Sequence, residues 1–155
     1  MSNEALNDRK PRFVMCICTG QCPGFQGLDV WALMNYVRNE LDVEYAILHP
    51  QLCVDDGDRF WRDYAKPGVT YVVGGCDPKM QRKMFKDTLE EVGADFETQI
   101  VALDLRNMST EDTMRKVKDT IESLSQDARY GASRAPICTC QAEETVENTA
   151  NDSGG

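Results

Sequence analysis

Short runs of apolar and β-branched residues alternate along this chain with longer segments whose apolar residues recur at helical spacing. The short runs cover residues 12–18, 43–48, 69–75 and 97–105. The third of them, VTYVVGG, is uncharged and ends in two glycines, which is typical of a strand that is buried on both faces. The pattern therefore predicts four β-strands.

A segment with helical periodicity follows each predicted strand. The four predicted helices lie within residues 28–41, 55–66, 77–93 and 109–124. In the third helix Asp77 is expected at the N-cap, with Pro78 at the first helical position and Gly93 as a C-cap. Met80 and Met84 are expected on its buried stripe.

The order of these elements is βαβαβαβα. Strands that alternate with helices predict an α/β fold, here a four-stranded parallel sheet with helices on both faces. The predicted domain covers residues 12–124, after a disordered lead at 1–11. Residues 125–155 lack apolar periodicity and are predicted to be a disordered acidic tail. The tail contains the pair Cys138 and Cys140, for which a redox or metal-binding role is one interpretation.

Charge and hydropathy argue against several classes of protein. The formal net charge of −9 and a pI near 4.6 argue against nucleic-acid binding, which requires clustered Lys and Arg. No run of about 18 apolar residues is present, and the polar N-terminus lacks the apolar core of a signal peptide. We therefore expect a cytoplasmic protein with reduced thiols and no membrane association.

Five of the seven cysteines lie where three predicted strands end. They are Cys16, Cys18, Cys22, Cys53 and Cys76. Because the carboxyl ends of parallel strands share one edge of a sheet, we expect these thiols to meet there. The i, i+2 spacing of Cys16 and Cys18 predicts that both point to the same face. Four thiolates at one edge can bind an iron–sulfur cluster or a structural zinc ion.

The spacing of the cysteines favours iron–sulfur over zinc. Structural zinc usually draws on C-x-x-C knuckles, and none occurs in this chain. The expected ligands are Cys16, Cys18, Cys53 and Cys76. Cys22 is a fifth candidate that could replace one of the first two, and spacing leaves this choice open.

Three further polar residues lie close to these cysteines in sequence. His49, the only histidine, is predicted to be a structural residue at a strand end, with a ligand role as the alternative. Lys79 and Arg82 follow Cys76 and are predicted to be solvated charges. Electrostatic tuning of an anionic cluster is the alternative for both.

Three loops, taken together, resemble the N-terminal domain of the large, flavin-binding subunit of heterodisulfide reductase. That family carries a C-x-C-G loop, a Cys-Ser-x-x-Gly loop and an Ala-Cys-Ser-Pro-Arg loop in this order. The matching residues here are Cys16 and Cys18, Cys53 with Gly57, and Cys76 with Pro78 and Lys79. The resemblance extends over about residues 12–124. The delta subunit of methyl-viologen-reducing hydrogenase is also similar, though less so in the first loop.

The resemblance implies an electron-transfer subunit of a complex in anaerobic metabolism, rather than an autonomous catalyst. It implies a [4Fe–4S] cluster in preference to [2Fe–2S], and larger partners of the flavin, hydrogenase or formate dehydrogenase type. The family's flavin and ferredoxin-like domains have no counterpart here, and Asn107-Met108-Ser109 replaces a family cysteine. The alternative is a zinc-bound or metal-free scaffold module of such a complex, without redox activity.

Overall fold

The computed structural model describes residues 10–129, which form one sheet flanked by helices. The strands are β1 (Arg12–Cys16), β2 (Ala46–His49), β3 (Tyr71–Gly75) and β4 (Ile100–Asp104). The helices are α1 (Val30–Glu40), α2 (Asp55–Tyr64), α3 (Pro78–Glu91), α4 (Phe96–Gln99) and α5 (Thr110–Arg129). Two 3-10 turns, Cys18–Gly20 and Pro23–Phe25, lie between β1 and α1.

All four strands are parallel, in the order β2-β1-β3-β4. Phe13 of β1 pairs with Ala46 on one side and with Val72 on the other. The chain leaves β1 to form β2 on one side and then crosses to β3 on the opposite side. The chain therefore leaves the neighbouring strands β1 and β3 towards opposite faces of the sheet. In open parallel sheets, ligands bind in the crevice between two such loops.

Alternate strand residues contribute to two apolar cores, one on each face of the sheet. Val14 of β1 belongs to the core that includes Trp61 of α2 and Phe85 of α3. Phe13 and Met15 belong to the other core, which is covered by α1 and α5. The predicted four-stranded parallel sheet with helices on both faces is confirmed.

The element boundaries differ from the predicted ones at several places. β1 ends at Cys16 rather than at residue 18, and β2 covers Ala46–His49 rather than 43–48. The last strand begins at Ile100, because Phe96–Gln99 forms a helical turn. The final helix continues to Arg129, beyond the expected boundary at 124.

The helix caps are largely as predicted. The Asp77 carboxylate accepts a hydrogen bond of 2.7 Å from the Lys79 N–H, and Pro78 follows it at the first helical position. Gly93 ends the helix with a φ of +76°, a conformation that glycine adopts without strain. Asp29 caps α1, where its carboxylate accepts a hydrogen bond of 3.0 Å from the Ala32 N–H.

The four longer helices all begin at the same edge of the sheet. Each of α1, α2, α3 and α5 begins after a strand or its loop, so their N-termini lie at the carboxyl edge of the sheet. The predicted place of Met80 on the buried stripe is wrong, because Met80 is exposed and Gln81 is buried instead, whereas Met84 packs against the core as predicted. Between residues 10 and 129 no helix is long and apolar enough to cross a membrane.

Candidate metal centre

The five cysteines predicted to meet all lie at the carboxyl edge of the sheet. Cys16 is the last residue of β1, and Cys18 and Cys22 follow in the loop with the two 3-10 turns. Cys53 lies between β2 and α2, and Cys76 lies between β3 and α3. All five are free thiols; Cys53 is exposed and the other four are half-buried.

Two of the five thiols, those of Cys18 and Cys76, have a raised pKa. Burial raises the pKa of the Cys18 thiol, and negative charge on Cys16, Cys22 and Cys53 raises it further. Burial also raises the pKa of Cys76, with added repulsion from Cys16 and Cys53. The thiols therefore oppose joint ionisation in the absence of positive charge, and bound metal ions would relieve this repulsion.

The expectation that Cys16 and Cys18 point to the same face is wrong. Cys16 packs against the core under α2 and α3, whereas Cys18 and Cys22 pack against the core under α1 and α5. The alternation rule requires an extended strand, but β1 ends at Cys16 and Cys18 has a φ of 50°. The thiols thus flank the end of the sheet from both sides.

The loop after β1 has an unusual backbone. Cys18, Thr19 and Gly20 are consecutive residues with positive φ, at 50°, 61° and 76°. For a β-branched residue such as Thr19 this conformation is an outlier. The Thr19 N–H donates a hydrogen bond of 2.6 Å to the carbonyl of Pro50, which ties this loop to the segment that carries Cys53.

Polar hydrogens are directed at two of the sulfurs. The Leu52 N–H donates to Cys16 Sγ at 3.3 Å, and Gln51 Nε2 donates to Cys53 Sγ at 3.4 Å. Such N–H···S bonds favour the thiolate and are one means of adjusting the reduction potential of a cluster. Cys22 is a further neighbour of Cys18 and contributes to its raised pKa.

Gln81 also belongs to this edge, although no pattern in the sequence pointed to it. Its side chain is 2% exposed, and Nε2 donates to the Cys76 carbonyl at 2.8 Å and to the Leu103 carbonyl at 3.3 Å. A Cβ at Gly75 would lie 3.5 Å from Cys16 Cβ and 3.7 Å from Gln81 Nε2. Gln81 thus fixes the peptide of Cys76 against the sheet.

Arg106 supplies a positive charge that the sequence patterns did not indicate either. Its guanidinium forms two hydrogen bonds with the Asp104 carboxylate, at 2.9 and 2.7 Å. This pairing raises the pKa of Arg106 and lowers that of Asp104. The charge of Arg106 in turn lowers the pKa of Cys76. Its stem approaches Gly24, where a Cβ would lie 2.9 Å from Arg106 Cβ.

His49 has the structural role that was predicted. Nδ1 accepts a hydrogen bond of 3.0 Å from the Gln51 N–H, so the neutral ring carries its proton on Nε2. Nε2 lies 3.0 Å from Asp56 Oδ2, and the buried ring packs edge-on against Phe60. Both ring nitrogens are therefore engaged in joining β2 to α2.

The remaining candidate residues of the sequence analysis are two cations of α3 and the cysteine pair of the C-terminal tail. Arg82 forms an ion pair with Glu97 at the surface, which agrees with the prediction of a solvated charge. Lys79 is exposed in the first turn of α3. Cys138 and Cys140 lie outside the described residues.

Among residues 10–129 no group of three or more His, Cys, Asp or Glu side chains is close enough to hold a metal ion. The structure therefore brings the five cysteines to one edge of the sheet without gathering three of them at a single metal-binding point.

No protein-family model matches the sequence, and no curated protein matches it either. The resemblance to the large subunit of heterodisulfide reductase therefore remains a prediction from three loop motifs. The chemistry of the five cysteines and their neighbours is the basis on which a function can be inferred.

Proposed function

We propose that this chain is a small iron–sulfur protein, or an iron–sulfur subunit of a heterodisulfide-reductase-like complex, that carries electrons in the cytoplasm. Its partners would be larger oxidoreductase subunits of the flavin, hydrogenase or formate dehydrogenase type. The observation that carries the proposal is the location of five free thiols at one edge of a parallel sheet, where Cys16 and Cys53 contribute to the raised pKa of both Cys18 and Cys76. Cysteine thiolates are the usual ligands of iron–sulfur clusters.

Four of these thiols would hold the cluster, namely Cys16, Cys18, Cys53 and Cys76. A bound [4Fe–4S] cluster accepts and releases one electron at a time, at a potential set by its surroundings. The chain contributes the shape of the site: the hydrogen bond from Thr19 to Pro50 joins the loops after β1 and β2, and Gln81 fixes the peptide of Cys76 against β4.

Positive and polar groups at the edge would offset the charge of the thiolates. The Leu52 N–H already donates to Cys16 Sγ, and Arg106 acts on Cys76. The N-termini of α2 and α3 follow Cys53 and Cys76 directly, and their helix dipoles favour negative charge. Each of these groups stabilises a reduced, more negative centre over an oxidised one.

Cys22 is placed to take part without being one of the four expected ligands. Its thiol contributes to the raised pKa of the Cys18 thiol, and both residues pack against the same core. Cys22 could replace Cys18 as a ligand or act as its hydrogen-bond partner. Single Cys→Ser variants distinguish these roles.

The decisive experiment is purification under strict anaerobiosis, followed by measurement of iron, acid-labile sulfide and zinc per chain. We expect about four irons with matching sulfide, and loss of most of this iron in the Cys16→Ser, Cys53→Ser and Cys76→Ser variants. A comparison of Cys18→Ser with Cys22→Ser then identifies the fourth ligand, because only the variant that lacks a ligand should lose its iron. About two irons would favour a [2Fe–2S] centre. Zinc alone, or no metal after reconstitution, would overturn the electron-transfer proposal.

A zinc-bound or metal-free scaffold module is the second candidate. The raised pKa values of Cys18 and Cys76 favour it, since these thiols are protonated near neutral pH in a metal-free chain. A protonated thiol packs as a small apolar group, and both residues are half-buried. The same metal analysis separates this candidate from the first.

A further inference from the structure

A surface cavity lies where the end of α1 meets the last turns of α5. Its volume is about 240 Å³, and Leu41 and Ile121 are among the residues that line it. Ile121 belongs to the core under α1 and α5, and Leu41 packs against that core, so this part of the lining is apolar. Small-molecule sites usually have volumes of about 300–1,000 Å³. The smaller size of this cavity favours the side chains of a peptide segment as its occupant.

Three carboxylates also line the cavity. They are Glu40, Asp42 and Glu122. Among the described residues the lining includes no cation. Asp42 forms an exposed ion pair with Lys10 at 2.8 Å, and Glu122 lies 3.8 Å from Lys118. Glu40 takes part in none of the ion pairs between residues 10 and 129. Because exposed ion pairs are weak, the cavity keeps negative charge that a cation could offset.

The C-terminal tail leaves α5 beside this cavity. The helix ends at Arg129, which follows the lining residues Ser125 and Gln126 by four and three positions. Residues at this spacing share one face of a helix. Gly131 comes two positions later, and glycine after the end of a helix favours a turn that reverses the chain. A chain that turns there passes over the cavity.

The first part of the tail has the charge that the cavity lacks. Residues 128–142 contain Arg129 and Arg134 but no carboxylate, and the acidic residues of the tail begin at Glu143. Tyr130 and Ile137 add apolar side chains on either side of Arg134. This combination of one cation with flanking apolar residues complements an apolar cavity that carries carboxylates.

We propose that the tail segment 130–137 docks in this cavity of its own chain, with Arg134 beside Glu40 and Glu122. The reach is sufficient. Glu122 lies about 10 Å before Arg129 along the axis of α5, and the five residues from Arg129 to Arg134 span up to about 17 Å. Docking would also tether the C-x-C pair close to α1 and α5, because Cys138 is within about 14 Å of Arg134.

The same segment of a second copy is the competing occupant. A short tether gives the chain's own segment an effective concentration on the order of millimolar at the cavity. A second copy at micromolar concentration is therefore outcompeted, and we expect docking within one chain.

Trypsin cleavage after Arg134 measures docking in the full-length protein under reducing conditions. The reference is a synthetic peptide of residues 126–142, which contains the same bond. We expect mass spectrometry to show cleavage about 5-fold or more slower in the protein than in the peptide at low ionic strength. High salt should bring the two rates together. Equal rates at low salt would overturn the proposal, and so would protection that grows with protein concentration, which would identify a second copy as the occupant.

Matched variants test the cavity without altering the cleaved bond. Glu40→Gln combined with Glu122→Gln should speed cleavage after Arg134 about 3-fold or more. Asp63→Asn combined with Glu111→Gln removes the same charge from exposed positions elsewhere and should leave the rate nearly unchanged. Equal rates in these two variants would contradict the proposal. The measurement requires no metal in the protein, so its result is independent of the iron analysis.

Discussion

Two buried glutamines have the same role at opposite edges of the sheet. Gln81 Nε2 donates to the carbonyls of Cys76 and Leu103, and Gln99 Nε2 donates to those of Lys66 and Val69. They are 2% and 8% exposed, so the carbonyls have little water as an alternative. Only Gln81 fixes a peptide that carries a candidate metal ligand.

This pair provides a controlled test of how Cys76 is positioned. Gln81→Leu and Gln99→Leu should each lower the free energy of unfolding by about 2–4 kcal/mol, because each removes a buried donor that two carbonyls share. Gln81→Leu should in addition speed alkylation of Cys76 in the metal-free protein, measured by mass spectrometry. If both variants, or neither, changed Cys76 reactivity, the positioning role of Gln81 would be wrong.

Thr19 is held in a conformation that its side chain disfavours. Its φ of 61° costs a β-branched residue about 1–2 kcal/mol, and glycine avoids this cost. Thr19→Gly should therefore raise the free energy of unfolding of the metal-free protein by about 0.5–1 kcal/mol, after the greater entropy of an unfolded glycine is subtracted. Urea denaturation measures this difference. Thr19→Val is the control and should give no gain.

Helix α2 begins where the chain packs too tightly for any side chain at residue 57. A Cβ at Gly57 would lie 1.8 Å from the carbonyl oxygen of Leu52, a backbone atom that has no room to move aside. The loop between them carries Cys53. Close backbone packing at Gly57 therefore sets the position of this cysteine relative to the helix.

Gly57→Ala should disrupt this junction. We expect a loss of about 3 kcal/mol or more in the free energy of unfolding, since either the helix or the loop must shift. Iron content should fall as well, because Cys53 would be displaced. Gly27→Ala is the matched control: its Cβ would come no closer than 3.8 Å to Met108, and thermal unfolding should show little change. A stable, iron-replete Gly57→Ala protein would show that the close packing at residue 57 does not position Cys53.

Hydrophobic pattern predicts that an element exists more reliably than where it ends. The run at residues 97–105 suggests one strand, yet its first part forms α4. The reason is a local cap: the Asp95 carboxylate accepts from the Thr98 N–H at 3.0 Å, and the Asp95 N–H donates to Gln99 Oε1 at 3.1 Å. Such side-chain competition for backbone groups is invisible to apolar periodicity.

At the scale of the whole molecule, topology made the placement of the five cysteines predictable. Once a parallel sheet is inferred, the cysteines after three strands must share one edge, and they do. Gln81 and Arg106 were missed because their contacts depend on the three-dimensional fold: Gln81 meets Leu103 from 22 residues away, and Arg106 acts on Cys76 from the neighbouring strand. The direction of Cys18 was missed because it depends on the end of β1.

The two cores indicate that the fold does not depend on a metal. They are built from buried apolar side chains of all four strands and of the helices on both faces, and the cysteines pack only at their margins. Small zinc domains, in contrast, lack such a core and unfold without their ion. Ligand binding should here add stability to a chain that is already folded.

A variant with Ser at Cys16, Cys18, Cys53 and Cys76 should therefore keep the circular dichroism spectrum of a mixed α/β protein and unfold cooperatively. The loaded wild-type protein should melt several degrees higher, because a loss of 1 kcal/mol corresponds to about 4 °C in a domain of this size. Removal of metal from the wild type with a chelator and a mild oxidant should lower its Tm towards that of the variant, and the same treatment of the variant should change nothing. A quadruple variant that is unfolded at room temperature would show that the metal, rather than the two cores, specifies the fold.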